Sequence, residues 1–123
     1  MKTPPRKAAA SRTPFRRGRH APAFVLLALS RKPSYGLEIL EFLERHLPGS
    51  GYDSAAVYRT LQALERQGAV AATRDPGGGA ARKWYRITRD GGRMLDAFEE
   101  DVRRRMAYLA FFLDYRGGGG EGR

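Results

Sequence analysis

The chain has no cysteine. Disulfide scaffolds, cysteine-ligated zinc and thiol nucleophiles are therefore excluded together. Histidine is nearly absent too: His20 and His46 are the only two, and they do not form a pair at metal-binding spacing. No G-x-S-x-G elbow is present. The Gly77-Gly78-Gly79 run leads into a strand candidate, not a helix, so no helix N-terminus waits there for a phosphate. Glu99, Glu100 and Asp101 precede Arg103, Arg104 and Arg105 at helical spacing, which predicts surface ion pairs rather than acid–base chemistry. The chain reads as no enzyme and calls for no cofactor or metal. Long apolar runs are also missing. Even Ala23 to Leu29 falls far short of the roughly 20 residues a membrane span needs. Without a span or a signal-peptide pattern, a cytoplasmic, nucleoid-associated protein is expected.

What the chain does have is positive charge. Its 123 residues carry a net charge of +10, with 41% apolar residues. That is enough for one core and not two, and the basic balance makes nucleic acid the first partner to consider. The charge is unevenly spread. Residues 1–20 hold Lys2, Arg6, Lys7, Arg12, Arg16, Arg17 and Arg19 and no acid. Rich in Pro, Ala, Ser and Thr and without apolar periodicity, this segment predicts a disordered basic arm. Residues 117–123 predict a flexible glycine-rich tail. From charge alone, DNA, RNA, an anionic lipid surface and mere solubility stay open.

Between these ends the pattern is mostly helical. Residues 22–30 form an apolar helix opened by Pro22 and expected to be buried, with Lys32-Pro33 stopping it. Ser34 is the N-cap candidate for a second helix, in which Ile39, Leu40, Leu43 and Leu47 recur at helical spacing. Asp53 is the candidate cap of a third, with Val57, Leu61 and Leu64 in one stripe and Gly68 as its stop. Residues 69–73 and 83–88 read as strands around a Gly-rich hairpin loop. Three helices and a hairpin make a winged helix-turn-helix domain over residues 21–89.

Thr88 or Asp90 opens a last helix over residues 90–116. Leu95, Phe98, Val102, Met106, Leu109, Phe112 and Leu113 give it an apolar strip too long for a small domain to cover. The strip predicts a homodimer interface. Folding back onto its own domain is the alternative. The fold class is therefore mostly α with a small β-hairpin, ending in one long dimerisation helix.

Three runs carry a family resemblance. They are Pro33-Ser34-Tyr35-Gly36-Leu37-Glu38-Ile39, the stretch from Val57 to Val70, and the stretch from Arg82 to Gly92. In this order and spacing the chain resembles PadR-type winged-helix transcriptional regulators over residues 22–113. Tyr58-Arg59-Thr60-Leu61 and Leu95-Asp96-Ala97 also look like the branch of poly-β-hydroxybutyrate-responsive repressors. The resemblance implies a repressor that responds to a small-molecule or polyester effector. A ligand site would lie between the last helix and the first, near Phe98, Tyr108, Phe111, Phe112 and Tyr115. Some relatives stack planar drugs on a tryptophan of the last helix; here Trp84 lies on the wing strand, which disfavours that chemistry. Ala55-Ala56 stands where many members have glycine and a polar residue, so relatives' operator preferences do not carry over.

The expected partner is double-stranded DNA. The third helix would enter the major groove, with Ser54, Ala55, Ala56 and Arg59 nearest the bases. Tyr58 would either bond a phosphate or pack between helices. Ser34 and Tyr35 could donate to a phosphate. Arg74, Arg82 and Lys83 would carry the wing to the minor groove or backbone. Two alternatives are kept: a granule- or partner-binding module working through the last helix, and a non-specific nucleic-acid-binding protein.

Overall fold

The computed structural model describes residues 20–74 and 82–118. The predicted arm (but for His20), most of the hairpin loop, and the tail beyond Gly118 lie outside the described residues. The chain runs through helix α1 (Ala21–Arg31), strand β1 (Ser34–Tyr35), helices α2 (Gly36–His46) and α3 (Ser54–Arg66), strands β2 (Val70–Arg74) and β3 (Lys83–Ile87), and helix α4 (Arg89–Arg116). The strands form one antiparallel sheet in the order β1-β3-β2. This is a winged helix-turn-helix fold with a long C-terminal helix.

Helix α1 carries Pro22 in its first turn, where the missing N–H leaves nothing unpaired. Val25, Leu26 and Leu29 are buried at its core face, but Leu27 is 41% exposed. The helix is thus amphipathic, not buried all round as its composition suggested.

The start of α2 also departs from expectation. Ser34 is not the N-cap. It pairs across the sheet with Tyr85, is buried, and its hydroxyl donates to the Lys32 carbonyl at 3.1 Å. Tyr35 holds the cap position, and its backbone N–H donates to Glu38 Oε1 at 2.9 Å. The cause is β3, which recruits Ser34 and Tyr35 as an edge strand. A two-residue strand is too short to show alternation, so the sequence offered no sign of it.

Helix α3 follows the sequence closely. The Ala56 N–H donates to Asp53 Oδ1 at 2.9 Å, which satisfies a donor that the first turn leaves open. Val57, Leu61 and Leu64 are buried against α1 and α2. Gly68, at φ +78°, makes the left-handed exit that suits a residue without Cβ.

In the sheet, Tyr85 faces the helices and is buried with Val70. Its neighbour Trp84 points to the other face. Burial pushes the Tyr85 phenol above its ordinary pKa, with smaller contributions from Glu65 and Tyr58. Thr88, not Asp90, caps α4: the Gly91 N–H donates to Thr88 Oγ1 at 3.0 Å, and that hydroxyl donates to the Gly68 carbonyl at 2.6 Å. Asp90 instead pairs with Arg93. Met94, Leu95 and Phe98 pack against the core. From Val102 onward every residue of α4 is exposed.

Candidate nucleic-acid interface

With Val57, Leu61 and Leu64 turned inward, the rest of α3 turns outward. Ser54, Ala55, Tyr58, Arg59 and Gln62 are exposed, and Ala56 is half-buried. This face follows from the helical period: every third or fourth residue anchors the helix and those between are free. Arg59 has no ion-pair partner among the described residues, so its guanidinium is available to an acceptor outside the chain.

Tyr58 sits at the centre of that face. Its ring packs against Gly36, where an added methyl group would meet three of its atoms at 2.5 Å. The residue is nevertheless 43% exposed. The two alternatives read from the sequence are thus compatible: the ring packs on α2 and the side chain still reaches solvent.

The wing strands contribute two separate sets of cations, because side chains alternate across a strand. Arg74 stands directly opposite Lys83 in the register. Both are exposed, and neither has an ion-pair partner among the described residues. Like charges opposed across a sheet repel, and an anion seated between them would relieve that repulsion. Arg82 belongs to the other face. Its guanidinium lies over the Tyr35 ring, 4.0 Å from the centroid, and Trp84 meets the same ring edge-on at 4.6 Å.

A chain of contacts joins these parts. Tyr58 of α3 touches Gly36, Gly36 follows Tyr35, and Tyr35 carries Arg82. Tyr58 on one side and the Tyr35–Arg82 pair on the other are thus linked through the Tyr35-Gly36 backbone at the start of α2. Ser34 does not belong to this surface, since it is buried with its hydroxyl occupied. Leu37, exposed beside Gly36, and Arg86, exposed on the Trp84 side of β3, were not singled out from the sequence. Arg86 could have been found from its phase, because it shares parity with Trp84.

The predicted dimer residues divide. Leu95 and Phe98 pack against their own domain, as the fold-back alternative required. Val102, Met106, Leu109, Phe112 and Leu113 are exposed. Between α1 and the middle of α4 lies a groove of about 720 Å³ lined by Ala23, Phe24, Leu27, Phe98, Met106 and Leu109, among others. Along α4 the arginines pair within the helix, Arg103 with Glu99 at 2.7 Å and Arg105 with Asp101 at 2.7 Å. Arg104 reaches Asp101 at 3.5 Å. Glu99 and Asp101 are thereby engaged as surface partners.

Among the described residues, no group of His, Asp or Glu could hold a metal ion, and no helix is long and apolar enough to cross a membrane.

The chain is similar in structure to a PadR family transcription regulator from Clostridium difficile, with a TM-score of 0.67 and 20% identity over 76% of this chain and 98% of that one. A PadR family transcriptional regulator from Eggerthella lenta gives a TM-score of 0.64 at 30% identity, over 77% of this chain and 85% of that one. Bacillus subtilis PadR, solved in complex with operator DNA, gives 0.57 at 20% identity, over 65% of this chain and 47% of that one. No curated protein sequence gave a match. The model of the PadR-like family of transcriptional regulators matches residues 25–97, more than half of the chain. The chain belongs to that family, whose members are regulators of transcription and not enzymes.

Proposed function

We propose that this protein binds duplex DNA in a sequence-dependent way as a homodimer and represses transcription from a pseudo-palindromic operator. The observation that carries the reading is the junction just described: an exposed face of α3 is joined through Tyr58, Gly36 and Tyr35 to the cationic base of the wing. In this reading Ser54, Ala55, Ala56 and Arg59 meet base edges, with the alanine methyls suited to thymine. Tyr58, Arg74 and Lys83 meet phosphates, which position the helix without reading sequence. Ser34 is left out of the contact set because it is buried. The bare distal strip of α4 supports pairing with a second copy. A two-fold pair of α3 helices would read half-sites roughly 10 base pairs apart. The Bacillus subtilis relative, solved on its operator, supports the same mode of action.

Selection of bound duplexes from a random pool tests this. A conserved inverted repeat is expected. Arg59→Ala should then lose about 1–3 kcal/mol on the selected site if the guanidinium reads guanine in bidentate fashion. Equal binding of all sequences would leave the non-specific alternative standing instead.

The effector is proposed to be apolar or amphipathic, since the uncovered strip of α4 and the α1–α4 groove offer it an apolar surface. A polyester or its oligomers is the version implied by the resemblance to the poly-β-hydroxybutyrate-responsive branch. Release of bound operator on adding polyester particles supports it; release by a monomeric apolar ligand alone narrows the effector to small molecules.

A further inference from the structure

The wing base contains a three-membered cluster to whose members the reading above assigns no DNA contact of their own. Tyr35 is paired in register with Trp84 across β1 and β3. The two rings meet edge to face, with planes inclined at 71°. Arg82, immediately ahead of β3 and two residues before Trp84, places its guanidinium carbon over the Tyr35 ring, 4.0 Å from the centroid. Tyr35 itself is fixed from behind: its N–H is held by Glu38, and its neighbour Gly36 is covered by the Tyr58 ring.

A guanidinium stacked on a ring uses only its π-face. Its N–H donors lie in the plane of the group and remain directed outward. Held through its π-face in this way, Arg82 would be kept in place without consuming the donors that would grip a phosphate or a base acceptor. An unsupported arginine loses most of its rotamer freedom when it binds, whereas one already lying on a ring has given up much of it in advance.

We infer that Tyr35 is a positioning residue for DNA binding: its ring, braced by Trp84, presents Arg82 to the duplex at a fixed offset from α3. This rests on the DNA-binding reading above. It also replaces the phosphate-donor role expected for the Tyr35 hydroxyl, because the working part of the side chain is the ring. Lysine does not substitute for Arg82 here, since an ammonium has no flat face to lay on the ring.

The test is a mutant cycle on the full chain, read as operator affinity and its salt dependence. Arg82→Ala should weaken binding roughly 5- to 10-fold and lower the salt slope by about 1 per subunit, or about 2 for the dimer. Tyr35→Leu should reproduce most of that loss, and the double variant should lose no more than Arg82→Ala alone. Tyr35→Phe keeps the ring and should restore affinity to near that of the unmodified chain. Arg82→Lys retains the charge and the fold, and should still bind more weakly. In the unbound protein, the side-chain protons of Arg82 should show an upfield ring-current shift in NMR that Tyr35→Leu abolishes. That readout stays available should Tyr35→Leu bind poorly through a loosened fold. An additive cycle overturns the inference, and so does a Tyr35→Phe variant as weak as Tyr35→Leu, which would point to the hydroxyl. A parent protein with no affinity for duplex overturns the DNA-binding reading and this inference together, whereas binding with an additive cycle overturns this inference alone.

Discussion

The phenol of Tyr58 lies on the backbone of Gly36, so α3 and the first turn of α2 meet at a position where one of them has no side chain. The contact sets how deeply α3 can sit against α2. It also explains how a residue on the exposed face of α3 can be partly packed and still reach solvent.

Gly36→Ala tests that contact. Alanine favours helix over glycine, but its methyl collides with the Tyr58 ring. The ring ends a flexible side chain and can swing outward, so the expected loss is modest, about 1 kcal/mol. In a Tyr58→Ala background the same substitution should be neutral or stabilising. Denaturant unfolding of the four variants measures the difference.

Gly91→Ala should cost more. A methyl there would run into the carbonyl of Ala69 and the side chain of Ile87. The carbonyl is backbone, and it already accepts the Thr88 N–H at 3.0 Å, so it has little freedom to retreat. A loss of about 2–3 kcal/mol is expected, seen as a lower denaturation midpoint at fixed protein concentration.

In the proposed homodimer, Leu109→Glu should convert the protein to monomers. Leu109 lines the α1–α4 groove and is 46% exposed, so the substitution removes no contact on which a single domain depends. It would set a charge in the proposed apolar interface, at a cost of several kcal/mol. Sedimentation velocity should show the smaller species, with an unchanged helical circular-dichroism spectrum. A persisting dimer would move the interface away from this strip.

Asp101 provides a pH dependence. The hydrogen bond from Arg105 holds its carboxyl below the usual aspartate pKa against the opposing effect of desolvation, with the charges of Arg105 and Arg104 also lowering it. A group lowered on folding contributes stability that is present above the unfolded pKa and lost as pH falls through the folded one. Thermal melts should therefore show an acid-side loss that Asp101→Asn lacks. Both partners are well exposed, so the effect should be small and should shrink with added salt.

Some of this was legible in the sequence and some was not, for physical reasons. Asp53, Val57, Leu61, Leu64 and Gly68 announce α3 because cap, stripe and stop are all local signals. Ser34 misled because its cap propensity is also local, while the pairing that turns it into a strand comes from Tyr85, far along the chain. The exposure of Leu27 was hidden for a related reason: which apolar residues of a uniformly apolar helix face the core depends on its neighbours. On α4 the strip is continuous in sequence, but only its first part, through Phe98, finds cover at home. The Arg82–Tyr35 contact joins the residue ahead of β3 to strand β1, and no pattern along the chain reveals that pairing.

Helix α4 leaves the winged domain as one unbroken rod of 28 residues, or roughly 42 Å at about 1.5 Å per residue. A rod of that length is a lever. Tilting it by about 10° around its far end swings the near end by roughly 7 Å, close to two base-pair steps along a duplex. In the proposed homodimer, slight repacking among the aromatic residues at its tip would throw a reading head out of phase with its site.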